Sequence, residues 1–192
     1  MARDADQTRK RLLEAAAAEF AAFGIAGARV DRIAEAAGCN KAMIYAYFGN
    51  KDQLFDAVFT ALVAATIEHV PFDAEDLPGY AGRLFDRYED DLATVRLATW
   101  YRLERPHGAP LQAIVASNTT KLEKVARAQR DGVVPDRYSP AEILTLVIAT
   151  AGAWASVTPE LGKNAPADRA RRRWTVVDAV RRLLAEEAAA ST

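Results

Sequence analysis

The chain has 192 residues, 51% of them hydrophobic and 27% charged, and 25 basic against 26 acidic side chains give a net charge of −1. That length suits one or two small domains with ample apolar material for a core, and the composition fits a compact helical protein rather than a disordered one. A single cysteine excludes an internal disulfide framework, and one Cys with two distant His makes a structural zinc site improbable. No apolar run reaches the roughly 18–20 residues of a membrane span. The N-terminal MARDADQTRKRLLEAAAAEF is charged throughout and holds no apolar signal segment. A soluble cytoplasmic protein without membrane association is expected. Near-neutral net charge speaks against indiscriminate nucleic-acid binding, yet leaves room for a local basic face.

Helical periodicity dominates and no alternating run predicts a sheet, so the expected fold is all-α with about nine helices. The first helix should begin near Asp4 or Asp6 and reach Phe23, with Leu13, Ala16, Phe20 and Phe23 on its apolar face. Gly24 follows, where a left-handed terminus wants a residue without Cβ. A short second helix covers about 30–37, turns Val30, Ile33, Ala34 and Ala37 inward, and ends at Gly38. A third, equally short, spans about 40–48 with Ile44 and Phe48 facing the core together. Gly49 stops it, and Asn50 caps a fourth helix with Gln53 at the capping-box position. Phe55, Val58, Leu62 and Thr66 mark a face of that helix, which His69-Val70-Pro71 ends. Prolines at 71, 78, 106, 110, 135, 140, 159 and 166 punctuate the rest into helices near 79–90, 92–104, 110–130, 140–157 and 166–189. Pro110, Pro140 and Pro166 each suit a first helical turn, where the missing N–H costs nothing.

The most specific stretch is VDRIAEAAGCNKAMIYAYF at 30–48. Two helices of only two turns, joined by a glycine-containing turn, are not stable alone and must be braced by longer neighbours. That is the helix-turn-helix design, which presents its second helix to the DNA major groove. Lys41, Ala42, Met43, Tyr45 and Ala46 are then left to face a partner. Residues 8–59 resemble the DNA-binding domain of the TetR family of transcriptional regulators. The resemblance is carried by Phe20-Ala21-Ala22-Phe23-Gly24, then Val30-x-x-Ile33-Ala34-x-x-Ala37-Gly38, then Ile44-Tyr45-x-Tyr47-Phe48-x-Asn50-Lys51 with Leu54-Phe55. It implies an N-terminal helix-turn-helix DNA-binding domain over 1–50, a connecting fourth helix at about 50–70, and a helical ligand-binding and dimerisation domain over 71–192. It further implies a homodimer on a near-palindromic double-stranded operator, with half-sites roughly 34–36 Å apart. The expected function is a repressor released by a small-molecule effector.

Carried over residue by residue, the resemblance places Lys41 and Met43 near base edges, with Ala42 between them, and Tyr45 and Tyr47 nearest the backbone. Lys51 matches the family's phosphate-contacting lysine, and Asn40 would cap the recognition helix while donating to a phosphate. Two residues depart from the pattern. Arg29 stands where the family commonly has a capping Thr or Ser, and is expected to meet phosphate as a charge instead. Met43 replaces a small hydroxyl residue and suggests an apolar contact such as a thymine methyl. For Tyr45 and Tyr47 the competing reading is core packing, and for Lys51 an ordinary solvated lysine. Cys39, where the family has a small apolar residue, is expected to be a structural thiol.

No Ser/His/Asp arrangement, phosphate-cradling loop or metal-ligand spacing appears, so no catalytic residue, cofactor or metal is expected. The run Arg169-Ala170-Arg171-Arg172-Arg173 should be a solvated face paired with acidic neighbours, on a helix whose Trp174, Val177, Val180 and Leu184 form its apolar side. Glu89-Asp90-Asp91 fan out around a helix axis and cannot converge on one site. The stripe Ile143, Leu146, Val147, Thr150 and Trp154 fits either a four-helix interface between two copies or the domain's own core. Trp100, Tyr101, Glu104 and Trp154 are candidate ligand contacts, offering aromatic surface and one charge. Two rival readings remain: a helical ligand carrier or enzyme with a vestigial helix-turn-helix, and a regulator that answers to a protein partner. Arg29, Lys41 and Lys51, spaced around the motif, favour a working DNA reader.

Overall fold

A computed structural model describes residues 2–105 and 110–185, among which are ten α-helices, one short 3-10 helix and no strand. In chain order they are α1 (Ala2–Gly27), α2 (Val30–Ala36), α3 (Lys41–Phe48), α4 (Lys51–His69), α5 (Leu77–Asp90), α6 (Leu92–Glu104) and α7 (Gln112–Arg130). Then follow α8 (Pro140–Ala151), the 3-10 turn (Trp154–Ser156), α9 (Pro159–Gly162) and α10 (Arg169–Leu183). Pro106, His107 and the stretch 186–189 expected in the last helix lie outside the described residues. The chain divides into two compact units, residues 1–65 with 91–114, and residues 66–90 with 115–192. The helix at 92–104, expected in the second domain, thus groups with the N-terminal helices.

In the first unit the chain direction is set at glycines. Gly24 (φ 72), Gly38 (φ 62) and Gly49 (φ 81) occupy the left-handed region, which only glycine adopts without strain. Helical geometry breaks at Gly24 (ψ −179), where the sequence places the end of the first helix, and a further helical stretch runs to Gly27. The core joins Leu12, Ala16 and Phe20 of α1 to Ile33, Ile44, Leu54, Phe55 and Leu97, all at most 1% exposed. Val30, Ala34, Ala37 and Phe48 also turn inward, as their spacing predicts. Leu12 is fully buried with Ala16 and Phe20 at i, i+4 spacing, while Leu13 packs partly buried beside them. Phe23 leaves the core at the kink, 49% exposed, and lies under the Arg32 guanidinium at 4.3 Å instead.

The second unit is built on α5, whose Leu77, Tyr80, Ala81, Leu84 and Phe85 are buried together with Val125, Ile143, Val147, Val176 and Val180. α5 and α10 approach so closely that a Cβ on Gly82 would stand 2.9 Å from Val177 and from the Arg173 guanidinium. Across this crossing the two charge runs answer each other. Arg169 binds Asp90 at 2.6 Å and Asp86 at 3.4 Å, Arg173 binds Asp86 at 2.7 Å, and Arg172 pairs with Glu89.

The two long helices expected at 140–157 and 166–189 are shorter. Pro140 stands in the first turn of α8, as its sequence predicts, and Ser139 with Glu142 adds a capping box. Gly152 then caps α8, Thr158-Pro159 starts α9, and Asp168 caps α10 immediately before the arginine run. Pro110 and Pro166 sit ahead of their helices instead of inside the first turn. Trp174 and Leu146, expected on apolar faces, are 48% and 38% exposed. The buried faces run instead through Val176 and Val180, and through Ile143, Leu144, Val147 and Ala151.

Candidate nucleic-acid interface

Two short helices take their direction from the segment between them and α1. Residues 24–29 form that junction, and charged side chains from three directions hold its backbone groups. The Arg29 N–H donates to Glu19 Oε1 at 2.8 Å, and Arg32 Nε donates to the same oxygen at 2.8 Å. Burial pushes the Glu19 carboxyl up, but the Arg32 and Arg29 contacts outweigh it and hold the group below the usual carboxylate range. The Ala26 N–H donates to Glu104 Oε2 at 2.7 Å. Lys51 Nζ donates to the carbonyls of Ala26 at 3.1 Å and Ala28 at 3.3 Å, and Arg32 reaches the Gly27 carbonyl at 3.3 Å. Orphan groups at the end of one helix and the start of the next are thereby satisfied.

Arg29 supplies no side-chain cap to α2, as its chemistry predicts, and Glu19 meets the Arg29 amide from α1. Sequence reading missed Glu19, although its separation from the vacant cap position was visible. Asn40 caps α3 through Oδ1, which accepts from the Met43 N–H at 2.9 Å. Ile44 and Phe48 anchor α3 from below, with the Arg9 guanidinium 5.6 Å from the Phe48 ring centre. The opposite face presents Lys41, Ala42, Tyr45 and Ala46 to solvent, with Met43 half-buried. Tyr45 is 43% and Tyr47 38% exposed, so neither ring is a core residue of this unit.

Lys41 pairs with Asp31 at 3.0 Å, and this hydrogen bond and charge raise its pKa, which keeps it cationic. Lys51 engages two of its three N–H donors on the junction and retains one. Asn50 caps α4 by accepting from the Gln53 N–H at 2.8 Å. Cys39 is a free, half-buried thiol packed against the first core.

Of the candidate ligand contacts, three belong to the first unit. Trp100 Nε1 donates to the Ala21 carbonyl at 3.4 Å, Tyr101 stacks on Phe59 at 4.7 Å, and Glu104 holds Ala26 as described. Trp154 belongs to the second unit, where its Nε1 donates to the Arg172 carbonyl at 3.2 Å. None of the four lines the cleft of about 180 Å³ in the second unit, whose walls include Phe72, Ala74, Lys124, Arg127 and Val133. Among the described residues no helix is long and apolar enough to cross a membrane, and no group of His, Cys, Asp and Glu could hold a metal.

Comparison with known proteins places this geometry. Residues 12–58 match the profile described as bacterial regulatory proteins, tetR family, and residues 76–182 match the tetracyclin repressor-like C-terminal domain. The chain is 40% identical over 165 residues to the HTH-type transcriptional repressor SCO4008 of Streptomyces coelicolor, covering 83% of this chain and 84% of that protein. It is 41% identical over 64 residues to the repressor NicS of Pseudomonas putida, covering 33% of this chain and 30% of that one. The crystal structure of the transcriptional regulator SCO4942 from Streptomyces coelicolor superposes with a TM-score of 0.82 at 39% identity, over 94% of this chain and 99% of that one. A TetR family regulator from Marinobacter aquaeolei shares the fold at 20% identity, with a TM-score of 0.80 over 97% of this chain and 100% of that one.

Proposed function

The chain belongs to the TetR family of DNA-binding transcriptional regulators, and on that premise we propose that it is a homodimeric repressor released from a near-palindromic operator by a small molecule. The observation that carries the DNA-reading role is α3: anchored by Ile44 and Phe48, capped by Asn40, and outward-facing through Lys41, Ala42 and Tyr45. Arg29 and Lys51 flank it with positive charge suited to phosphates, while Tyr45 and Tyr47 stand at its exposed edge. The reading face has few hydrogen-bonding groups. Lys41 can donate to a guanine edge, whereas Met43 and the two alanines favour thymine methyls. The chain acts by binding, with no catalytic step of its own. An effector releases it only by binding the DNA-incompetent dimer more tightly than the competent one. The exposed large apolar side chains Leu146 of α8 and Trp174 of α10 suit a four-helix interface with a second copy.

Selection from a random duplex library, followed by anisotropy titration at several salt concentrations, tests the assignment. Arg29→Ala should weaken binding to all sequences alike and lower the salt slope by about 1. Met43→Ala should change which bases are enriched at one or two positions per half-site. The reverse pattern would reject the assigned roles, and a wild-type protein that enriches no sequence would reject DNA reading itself.

A further inference from the structure

The C-terminal end of α6 meets the segment from which α2 departs. Glu104 accepts from the Ala26 N–H at 2.7 Å, across 78 residues of sequence. Trp100 donates to the Ala21 carbonyl, and its ring would lie 3.0 Å from a Cβ on Gly24. Arg105, immediately after α6, binds Asp56 at 2.6 Å and the Asp52 carbonyl at 3.1 Å on the first turns of α4. Gly24 is the one position where α1 leaves helical geometry, with φ 72 and ψ −179. The other holders of the junction, Glu19, Arg32 and Lys51, come from the helices of the motif and its immediate neighbours. Among the described residues, Glu104 is the one from α6 that binds a backbone group of the 24–29 segment.

We infer that Glu104 is a positioning residue for DNA recognition: its carboxylate fixes the 24–29 junction and so sets the angle at which α3 is presented. The inference rests on α3 being the DNA-reading helix. A carboxylate accepting a backbone N–H makes a charge-assisted bond, stronger and more directional than its neutral counterpart. Base contacts demand an accurate helix angle, whereas phosphate attraction tolerates a small rotation. Loss of Glu104 therefore acts on selectivity, and leaves electrostatic affinity in place.

The test compares affinity for the duplex enriched by the wild-type protein with affinity for a scrambled duplex, each at fixed salt, using the full chain. Glu104→Ala should lower affinity for the enriched duplex about tenfold, with affinity for scrambled DNA unchanged or slightly raised because a negative charge has gone. Glu104→Gln keeps an acceptor and should retain most of the wild-type ratio. Glu104→Asp keeps the charge but withdraws it by one methylene, and should lose ratio in the same direction; it serves if the alanine variant folds poorly. Leu103→Ala, at a side chain 65% exposed on the same helix, should match wild type. Equal losses on both duplexes, or a wild-type ratio in both the Ala and Asp variants, would overturn the inference. A wild-type protein with no preferred sequence would instead reject the reading of α3, and this inference with it.

Discussion

At position 29 an arginine stands where a hydroxyl would cap α2, and its own backbone N–H donates to Glu19, ten residues earlier on α1. One oxygen of that carboxylate also receives Arg32, so a single half-buried acid serves a helix terminus and a cation. Glu19→Ala should destabilise the chain by about 1–2 kcal/mol, read from urea denaturation, since a hydrogen bond to a charged group is lost and an amide is left without it. The pH dependence follows from the direction of the shift. The native pKa is held low, so the contribution is full above the ordinary glutamate value of about 4.3 and fades as pH falls through the lower native value. Wild type and variant should therefore converge in stability on acidification; a gap that widens toward low pH would contradict the assignment.

Helix crossings carry the next level of organisation, and glycine spacing decides one of them. Gly82 lets α5 meet α10 with Val177 and Arg173 within 2.9 Å of where a Cβ would stand. The acid–arginine pairs along the same crossing depend on that approach, because Arg172 and Glu89 are each only 19% exposed at the side chain. Gly82→Val should force the helices apart and destabilise the second unit by about 1–3 kcal/mol, seen as a lowered thermal midpoint. An unchanged midpoint would mean that α10 shifts freely. The arginine run, expected to pair with acidic neighbours, is here the clasp between two helices. Pairing between specific helices is a tertiary property, so only the expectation of acidic partners was legible beforehand.

For the whole molecule, the exposed Leu146 and Trp174 bear on assembly. With Arg171 4.2 Å over the Trp174 ring, this surface combines an aromatic anchor with a cation. Leu146→Glu should weaken self-association by at least about tenfold, detected as a monomer in sedimentation at micromolar concentration, and operator affinity should fall with it. A stable dimer of that variant would place the interface elsewhere. The helix-turn-helix was readable from residues 30–48 because its elements are short, capped and glycine-punctuated, and local spacing decides such features: Ile44 and Phe48 inward, Asn40 as cap, Gly24, Gly38 and Gly49 at the turns. The all-helical class and the family were legible for the same reason. The sequence could not show that Glu104 meets Ala26 across 78 residues, that Lys51 closes the end of α1, or that Trp174 points to solvent. Periodicity reports which residues share a helix face, but which helix covers that face depends on the packing of segments distant along the chain.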